Sequence, residues 1–161
     1  MPMRASIITI CEKLPVWVDA GFEDYAARLK HVLPLKCVDL ALGARGKNAD
    51  LKRALADEGA RMLAAIPKAA FVIALDGEGR TFSSEALAKE LAQWRELGAD
   101  LAFLIGGPEG LAPACLAAAP LKISLGPMTL PHALVRIVLA EQLFRAHSIL
   151  TNHPYHRAGK I

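Results

Sequence analysis

Apolar positions along this chain switch between short continuous runs and a spacing of three to four, and the switches mark its elements. Ala5 to Ile10 is a short, β-branched run, as expected of a buried first strand. Val18, Phe22, Tyr25 and Leu29 then recur at steps of four, three and four, one face of a helix ended by Pro34. Leu35 to Leu40, which includes Lys36 and Asp39, is a mixed strand suited to a sheet edge. Asn48 is placed to cap a second helix with Leu51, Leu55, Met62 and Ile66 on one face, closed by Pro67. Ala69 to Leu75 is the next strand, and Asp76-Gly77-Glu78-Gly79 reads as a turn at its end. Ser83 or Ser84 caps a third helix striped by Leu87, Leu91 and Trp94, with Gly98 as its stop. Leu101 to Ile105 is a fully apolar strand. An alanine-rich helix over about 112 to 119 and a last strand over Lys122 to Leu125 follow.

Strand and helix alternate throughout, which predicts an α/β fold: a mostly parallel sheet of about five or six strands with helices on both faces. No repeat, linker or low-complexity tract divides residues 1–161, so they read as one domain. The final helix, from about Ala133 to Leu150, is apolar on two sides. Leu134, Ile137, Val138 and Phe144 face one way, and Val135, Leu139, Leu143 and Ile149 another. The sheet can cover only one side, so a second copy of the chain is expected on the other; the alternative is a helix sunk in a monomer's core.

With 53% hydrophobic and 22% charged residues, the composition is that of a globular protein. A net charge of +3 permits an anionic partner without requiring one. Cys11, Cys37 and Cys115 are scattered and form no CxxC, as expected of small buried residues in a reducing compartment without zinc. The opening apolar run is stopped by Glu12 and Lys13, too early for a signal peptide. Arg136, Glu141 and Arg145 interrupt the best candidate for a membrane span, so a cytoplasmic location is expected.

Two stretches carry candidate chemistry. Leu101–Ile105 runs straight into Gly106-Gly107-Pro108-Glu109-Gly110, and Leu125-Gly126-Pro127-Met128-Thr129-Leu130-Pro131-His132 repeats the pattern of a strand followed by a Gly/Pro loop. Loops of this kind at the carboxyl ends of parallel strands let a ligand approach the main chain, and two of them predict one pocket with two walls. There is no GxGxxG, P-loop or nucleophile elbow, which removes support for nucleotide hydrolysis and serine-type acyl transfer. Around the glycine-rich loop Gly43 to Asn48, the cations Arg45, Lys47, Lys52 and Arg53 are candidates to track phosphates of a nucleic acid; the bland alternative is a solvated loop and helix start. In the C-terminal His153-Pro154-Tyr155-His156-Arg157, Pro154 spoils a two-histidine metal site. Tyr155 and His156 can instead stack on a base while Arg157 holds its oxygens, unless the segment is a frayed end. His132, Arg136 and Arg145 lie at and beyond the second loop, with Arg136 also readable as a helix-surface charge. His31 and His147 read as structural.

Four segments together resemble one family from end to end: Arg45-Gly46-Lys47-Asn48-Ala49-Asp50, Leu104-Ile105-Gly106-Gly107-Pro108-Glu109-Gly110-Leu111, Met128-Thr129-Leu130-Pro131-His132 and Thr151-Asn152-His153-Pro154-Tyr155-His156-Arg157. They are similar to the bacterial large-subunit ribosomal RNA pseudouridine N3-methyltransferases, the small stand-alone branch of the SPOUT superfamily. The resemblance implies a C-terminal trefoil knot, a homodimer and S-adenosylmethionine as cofactor. It places the cofactor on Leu75, Gly106, Leu125, Gly126, Pro127, Met128, Thr129 and Leu130, where glycine is expected to keep the adenosine slot clear. The sequence departs from the usual pattern at Cys11-Glu12, where glycine is common, at Gly126-Pro127, where small polar residues are common, and in the extension Ala158 to Ile161. For the reaction, a ring nitrogen must lose an imide-like proton. His132 or His156 is the candidate relay, Arg136 and Arg157 the candidate cations beside the flanking carbonyls, and Tyr155 the stacking partner. A knotted enzyme acting on tRNA and a non-catalytic ribosome-binding protein are the alternatives.

Overall fold

The structure, a computed structural model, describes residues 2–46 and 50–157. Its elements are β1 (Ala5–Ile10), α1 (Val16–Leu29), β2 (Leu35–Leu40), α2 (Leu51–Ala65), β3 (Phe71–Thr81), α3 (Ser84–Leu97), β4 (Leu101–Ile105), α4 (Pro113–Ala118), β5 (Leu121–Ser124) and α5 (His132–Leu150), with a 3₁₀ turn over Pro154–Arg157. The strands form one parallel sheet in the order β2-β1-β4-β3-β5. β2, the strand with charges in it, is at an edge, and the fully buried β4 is central. Because side chains alternate across each strand, Ile7, Phe103 and Ile105 enter a core with α1, α3 and α5, while Ile8, Ile10 and Leu104 enter one with α2 and α4. The helices therefore cover both faces of the sheet. On the first face Trp94 meets Phe103 edge-on at 6.1 Å, and burying a side chain such as Phe103 contributes about 2–3 kcal/mol.

Local chemistry accounts for the boundaries. Ser83 caps α3 by accepting from the Ala86 amide, and Gly98 ends it in the left-handed conformation at φ 70°. α2 corrects the sequence reading. Its cap is Asp50, which accepts from the Arg53 amide, whereas Asn48 lies outside the described residues. Its buried face is Ala54, Glu58, Gly59 and Met62, with Leu51 exposed. Small residues are inside because α2 approaches the start of α4 so closely that a methyl on Gly59 would stand 2.7 Å from Ala112 Cβ.

β3 corrects it again. The strand continues through Asp76-Gly77-Glu78-Gly79 to Thr81, with its pairing to β5 shifted between Leu75 and Arg80. Gly79 is there for close packing of two backbones, since a Cβ would lie 2.7 Å from the Lys122 carbonyl group. α5 lies against α1 and α3, burying Leu139, Ala140, Leu143 and Ala146. On its other apolar side Leu134 is exposed and Ile137, Val138 and Phe144 are half-buried. Among the described residues no helix is long and apolar enough to cross a membrane.

Candidate active site

The parallel strands deliver the ends of β1, β3, β4 and β5 to one side of the sheet, and a cavity of about 950 Å³ opens there. Its walls come from Cys11–Leu14 after β1, Leu75–Gly77 in β3, Gly106–Gly110 after β4 and Leu125–Leu130 after β5, with His132 and Val135 from the first turn of α5. The eight positions Leu75, Gly106, Leu125, Gly126, Pro127, Met128, Thr129 and Leu130 all line it. Two parts of the wall that the sequence did not single out are also present: Cys11–Leu14, and Asp76. The latter is brought in by the continuation of β3.

The first loop is a tight turn. The Gly110 amide donates to the Gly107 carbonyl at 3.0 Å, with Pro108 and Glu109 between them and Gly110 at φ 82°. Folding back this far presses the turn onto Gly106, where a Cβ would stand 2.5 Å from Gly110 O and 2.6 Å from Leu111 N. Gly106 is therefore required by the closure of its own loop.

Arg136 is the largest departure from the sequence reading. It is not a surface charge: it is 1% exposed and does not line the cavity. Its Nη2 donates to Asp39 Oδ1 at 2.9 Å and to Thr9 Oγ1 at 3.2 Å, with Cys11 Sγ at 3.5 Å; its Nη1 donates to Asp39 Oδ2 at 3.3 Å. Thr9 in turn donates to Asp39 at 2.8 Å. Burial works against the charge of the Asp39 carboxylate, but the bonds from Arg136 and Thr9 outweigh it and hold its pKa below the ordinary value. One turn before Arg136 on α5, His132 places Nδ1 3.3 Å from the Gly106 carbonyl oxygen. Burial, and then the charge of Arg136, push the His132 pKa down, with Gly106 and Asp39 acting the other way.

The basic loop is also rearranged. Arg45 lines the cavity, and its Nη2 lies 2.9 Å from Glu58 and 2.6 Å from Glu109, so this cation is held by two carboxylates. Glu58 is 2% exposed and also accepts from the Gly43 amide at 2.7 Å. Lys52 and Arg53 are exposed in the first turn of α2, away from the cavity lining, and Lys47 lies outside the described residues.

The C-terminal segment is held elsewhere. Tyr155 packs edge-on against Phe144 at 4.6 Å, with the guanidinium groups of Arg145 and Arg28 at 5.1 and 5.8 Å from its ring. Burial, and then a hydrogen bond with Tyr25, push the Tyr155 pKa up to about 12. His156 Nδ1 is 3.4 Å from Ser148 Oγ, and Arg157 donates to Asn152 Oδ1 at 2.8 Å. Phe144 follows His132 by twelve residues on α5, about 18 Å along the axis. A chain's own Tyr155, His156 and Arg157 thus stand apart from its own cavity, and Ala158 to Ile161 lie outside the described residues.

Residues 3–156 match a family model described as "Predicted SPOUT methyltransferase". The chain is 55% identical over 156 residues to the Ribosomal RNA large subunit methyltransferase H of Stenotrophomonas maltophilia (strain K279a), covering 97% of this chain and 100% of that protein. It is 54% identical, with the same coverage, to the protein of that name from Xanthomonas axonopodis pv. citri. Two solved structures share its fold at low identity. A probable methylase family protein from Haemophilus influenzae has a TM-score of 0.52 at 15% identity, over 94% of this chain and 69% of that one. A putative methylase family protein from Neisseria gonorrhoeae has 0.53 at 16%, over 89% and 82%.

Proposed function

The chain belongs to the SPOUT methyltransferase family, and from that premise we propose that it methylates N3 of a pseudouridine in large-subunit ribosomal RNA, using S-adenosylmethionine, as a single-domain, knotted homodimer in the cytoplasm. The observation that carries this reading is the meeting of all eight cofactor positions, from three separate segments, in one cavity at the carboxyl ends of the strands. The residues fit the cofactor. Leu75, Ile105, Leu125 and Leu130 offer apolar walls, the glycine-rich turn offers main-chain groups, and Glu12 and Asp76 offer carboxylates to a cationic ligand.

When bound, S-adenosylmethionine supplies an electrophilic methyl group. The protein's part is to position the base and manage one proton. If the imide nitrogen titrates about two units above cellular pH, freeing it costs about 3 kcal/mol. His132, in the cavity wall, accepts that proton. Arg136 is buried behind the wall and acts on the reaction only through its neighbours. Tyr155, His156 and Arg157 serve the cavity of the second copy, since their own is about 18 Å away along α5, and there Arg157 faces the carbonyl oxygens of the base. The exposed Leu134 and half-buried Val138 on α5 support the dimer.

The test is transfer of a labelled methyl group to free ribosomal RNA, isolated large subunits and whole ribosomes, with the product nucleoside identified by mass spectrometry. N3-methylated pseudouridine in large-subunit RNA is expected. Label in tRNA alone would reassign the substrate. No label, and no gain of thermal stability at saturating S-adenosylmethionine, where about 2.7 kcal/mol is expected at 100 times the dissociation constant, would leave a binding protein.

A further inference from the structure

The mechanism leaves two groups unexplained: the half-exposed Asp39 carboxylate on the edge strand β2, and the buried guanidinium of Arg136 that it holds. Neither touches the cavity, yet the pair sits directly behind the one imidazole that does. His132 Nδ1 faces the Gly106 carbonyl oxygen, which can only accept, so Nδ1 carries the hydrogen and Nε2 the lone pair. Nε2 is buried and has no partner among the described residues. A buried nitrogen without a partner is uncommon, and at a functional site it marks a group kept for a ligand or a proton. Arg136, one helical turn along, is fixed from three sides by Asp39, Thr9 and Cys11, so its charge cannot swing away from the imidazole.

We propose that Asp39 and Arg136 form a positioning pair that keeps His132 uncharged, with its Nε2 lone pair free to take the proton leaving the target base. Arg136 supplies a fixed positive charge that opposes protonation of His132. Asp39 sets the strength of that opposition by partly neutralising the guanidinium, and it anchors α5 to the edge strand. The reaction remains balanced: the base nitrogen gains a methyl group, and its proton passes to Nε2 and then to water. This inference rests on the methyltransferase reading above for the use of that proton, but the state of His132 can be read without any turnover.

The other charged groups around His132 must be considered in the test. Glu12 and Lys13 after β1, Asp76 in β3, Arg45 before α2 and Glu109 after β4 line the same cavity, and the thiols of Cys11 and Cys37 lie near Arg136. None of these is altered in the variants used, so their contribution is common to every titration.

The experiment is an NMR titration of the His132 imidazole in the full chain, its signal assigned by loss in His132→Gln. Wild type, Arg136→Met and Asp39→Asn are compared. Arg136→Met removes the cation and should raise the midpoint; Asp39→Asn unmasks the cation and should lower it. A residue with a merely structural role would not shift one imidazole in opposite directions. The pH profile of single-turnover methylation should follow, with its acid limb moving up in Arg136→Met and down in Asp39→Asn. Midpoints that do not move, or that move together, overturn the proposal. If either single variant fails to fold, Asp39→Asn with Arg136→Met removes both charges of the pair and is titrated instead. A midpoint above wild type then supports the proposal, and an unchanged one overturns it. Opposite shifts in a protein that methylates no RNA would retain the pair and discard the enzymatic reading.

Discussion

Arg45 Nη2 lies 2.6 Å from Glu109 and also within reach of the buried Glu58, so a single guanidinium ties the loop before α2 to the turn after β4. Two cavity segments distant in sequence are thereby fixed to one another. Glu58 is the inner anchor, because its carboxylate also accepts from the Gly43 amide, and Gly43 lies so close to α2 that a Cβ would be 2.6 Å from Ala54 O. Glu58→Leu leaves that amide without an acceptor, which costs about 1–3 kcal/mol, or roughly 2–4 °C of melting temperature for each kcal/mol in a chain of this size. Glu109→Gln, at the more exposed end, should change melting far less. Thermal unfolding of the two variants checks the order; equal losses would mean that the rim contact is as structural as the buried one.

Gly106→Ala should lose fold stability and cofactor binding together. The added methyl would meet the backbone of Gly110 and Leu111, so the turn must open, at about 1–3 kcal/mol. Calorimetry with S-adenosylmethionine and a melting curve on the same sample decide the matter. Lost binding with unchanged melting would show that the position serves the ligand directly.

Stability should decline on the acid side through two histidines. Burial and Arg136 lower the His132 pKa, and burial and Arg95 lower that of His147. With folded values below unfolded ones near 6.5, the unfolded chain binds protons first as pH falls. Both contributions are therefore intact above about pH 6.5 and are lost progressively below it. Denaturant unfolding across that range should show a slope that His132→Gln and His147→Gln each reduce. A slope unaffected by both variants would assign the acid lability to the carboxylates.

Tyr155 to Arg157 should act across a dimer. Truncation after Pro154 is expected to lower single-turnover methylation roughly tenfold or more, since base stacking on an aromatic contributes about 1–3 kcal/mol. Mixing truncated chains with His132→Gln chains should restore activity, because an intact cavity then meets an intact tail from the other copy. Failure of the mixture, with each chain folded and exchanging, would place the tail in its own cavity.

Most of the layered fold was legible in the chain, and the misreadings share a cause. The bounds of β4 follow from a continuous apolar run because a buried parallel strand needs no polar face, while β2, with Lys36 and Asp39 in it, read as the edge strand it is. Arg136 and Glu58 were hidden by their charge. Yet Arg136 lies at helical spacing from Leu139, Ala140 and Leu143, and Glu58 falls midway between Ala54 and Met62, so both were on buried faces by position. Asp39 could not be found from its own strand, since its partner lies 97 positions away. In β3 a pair of glycines imitated a turn, because close backbone packing and chain reversal both select the residue without a side chain. The two Gly/Pro loops were legible as cavity walls; the segment Cys11–Leu14 was not, having neither glycine nor a patterned charge.

The strand order has a cost in time. β1 leaves the ribosome well before β4, and the pairing of Ala5 with Leu101 waits for a strand 96 positions later. At about 5–20 residues per second, β1 spends roughly 3–12 s with β2 as its only available sheet partner. Until β4 emerges, the apolar side chains of Ile7, Ile8 and Ile10 have only half of their final surroundings. A sheet whose central pair closes across most of the chain also folds slowly once released. The nascent chain is therefore most exposed to aggregation and to chaperone capture before residue 101 is made, and it passes out of that window within one short strand.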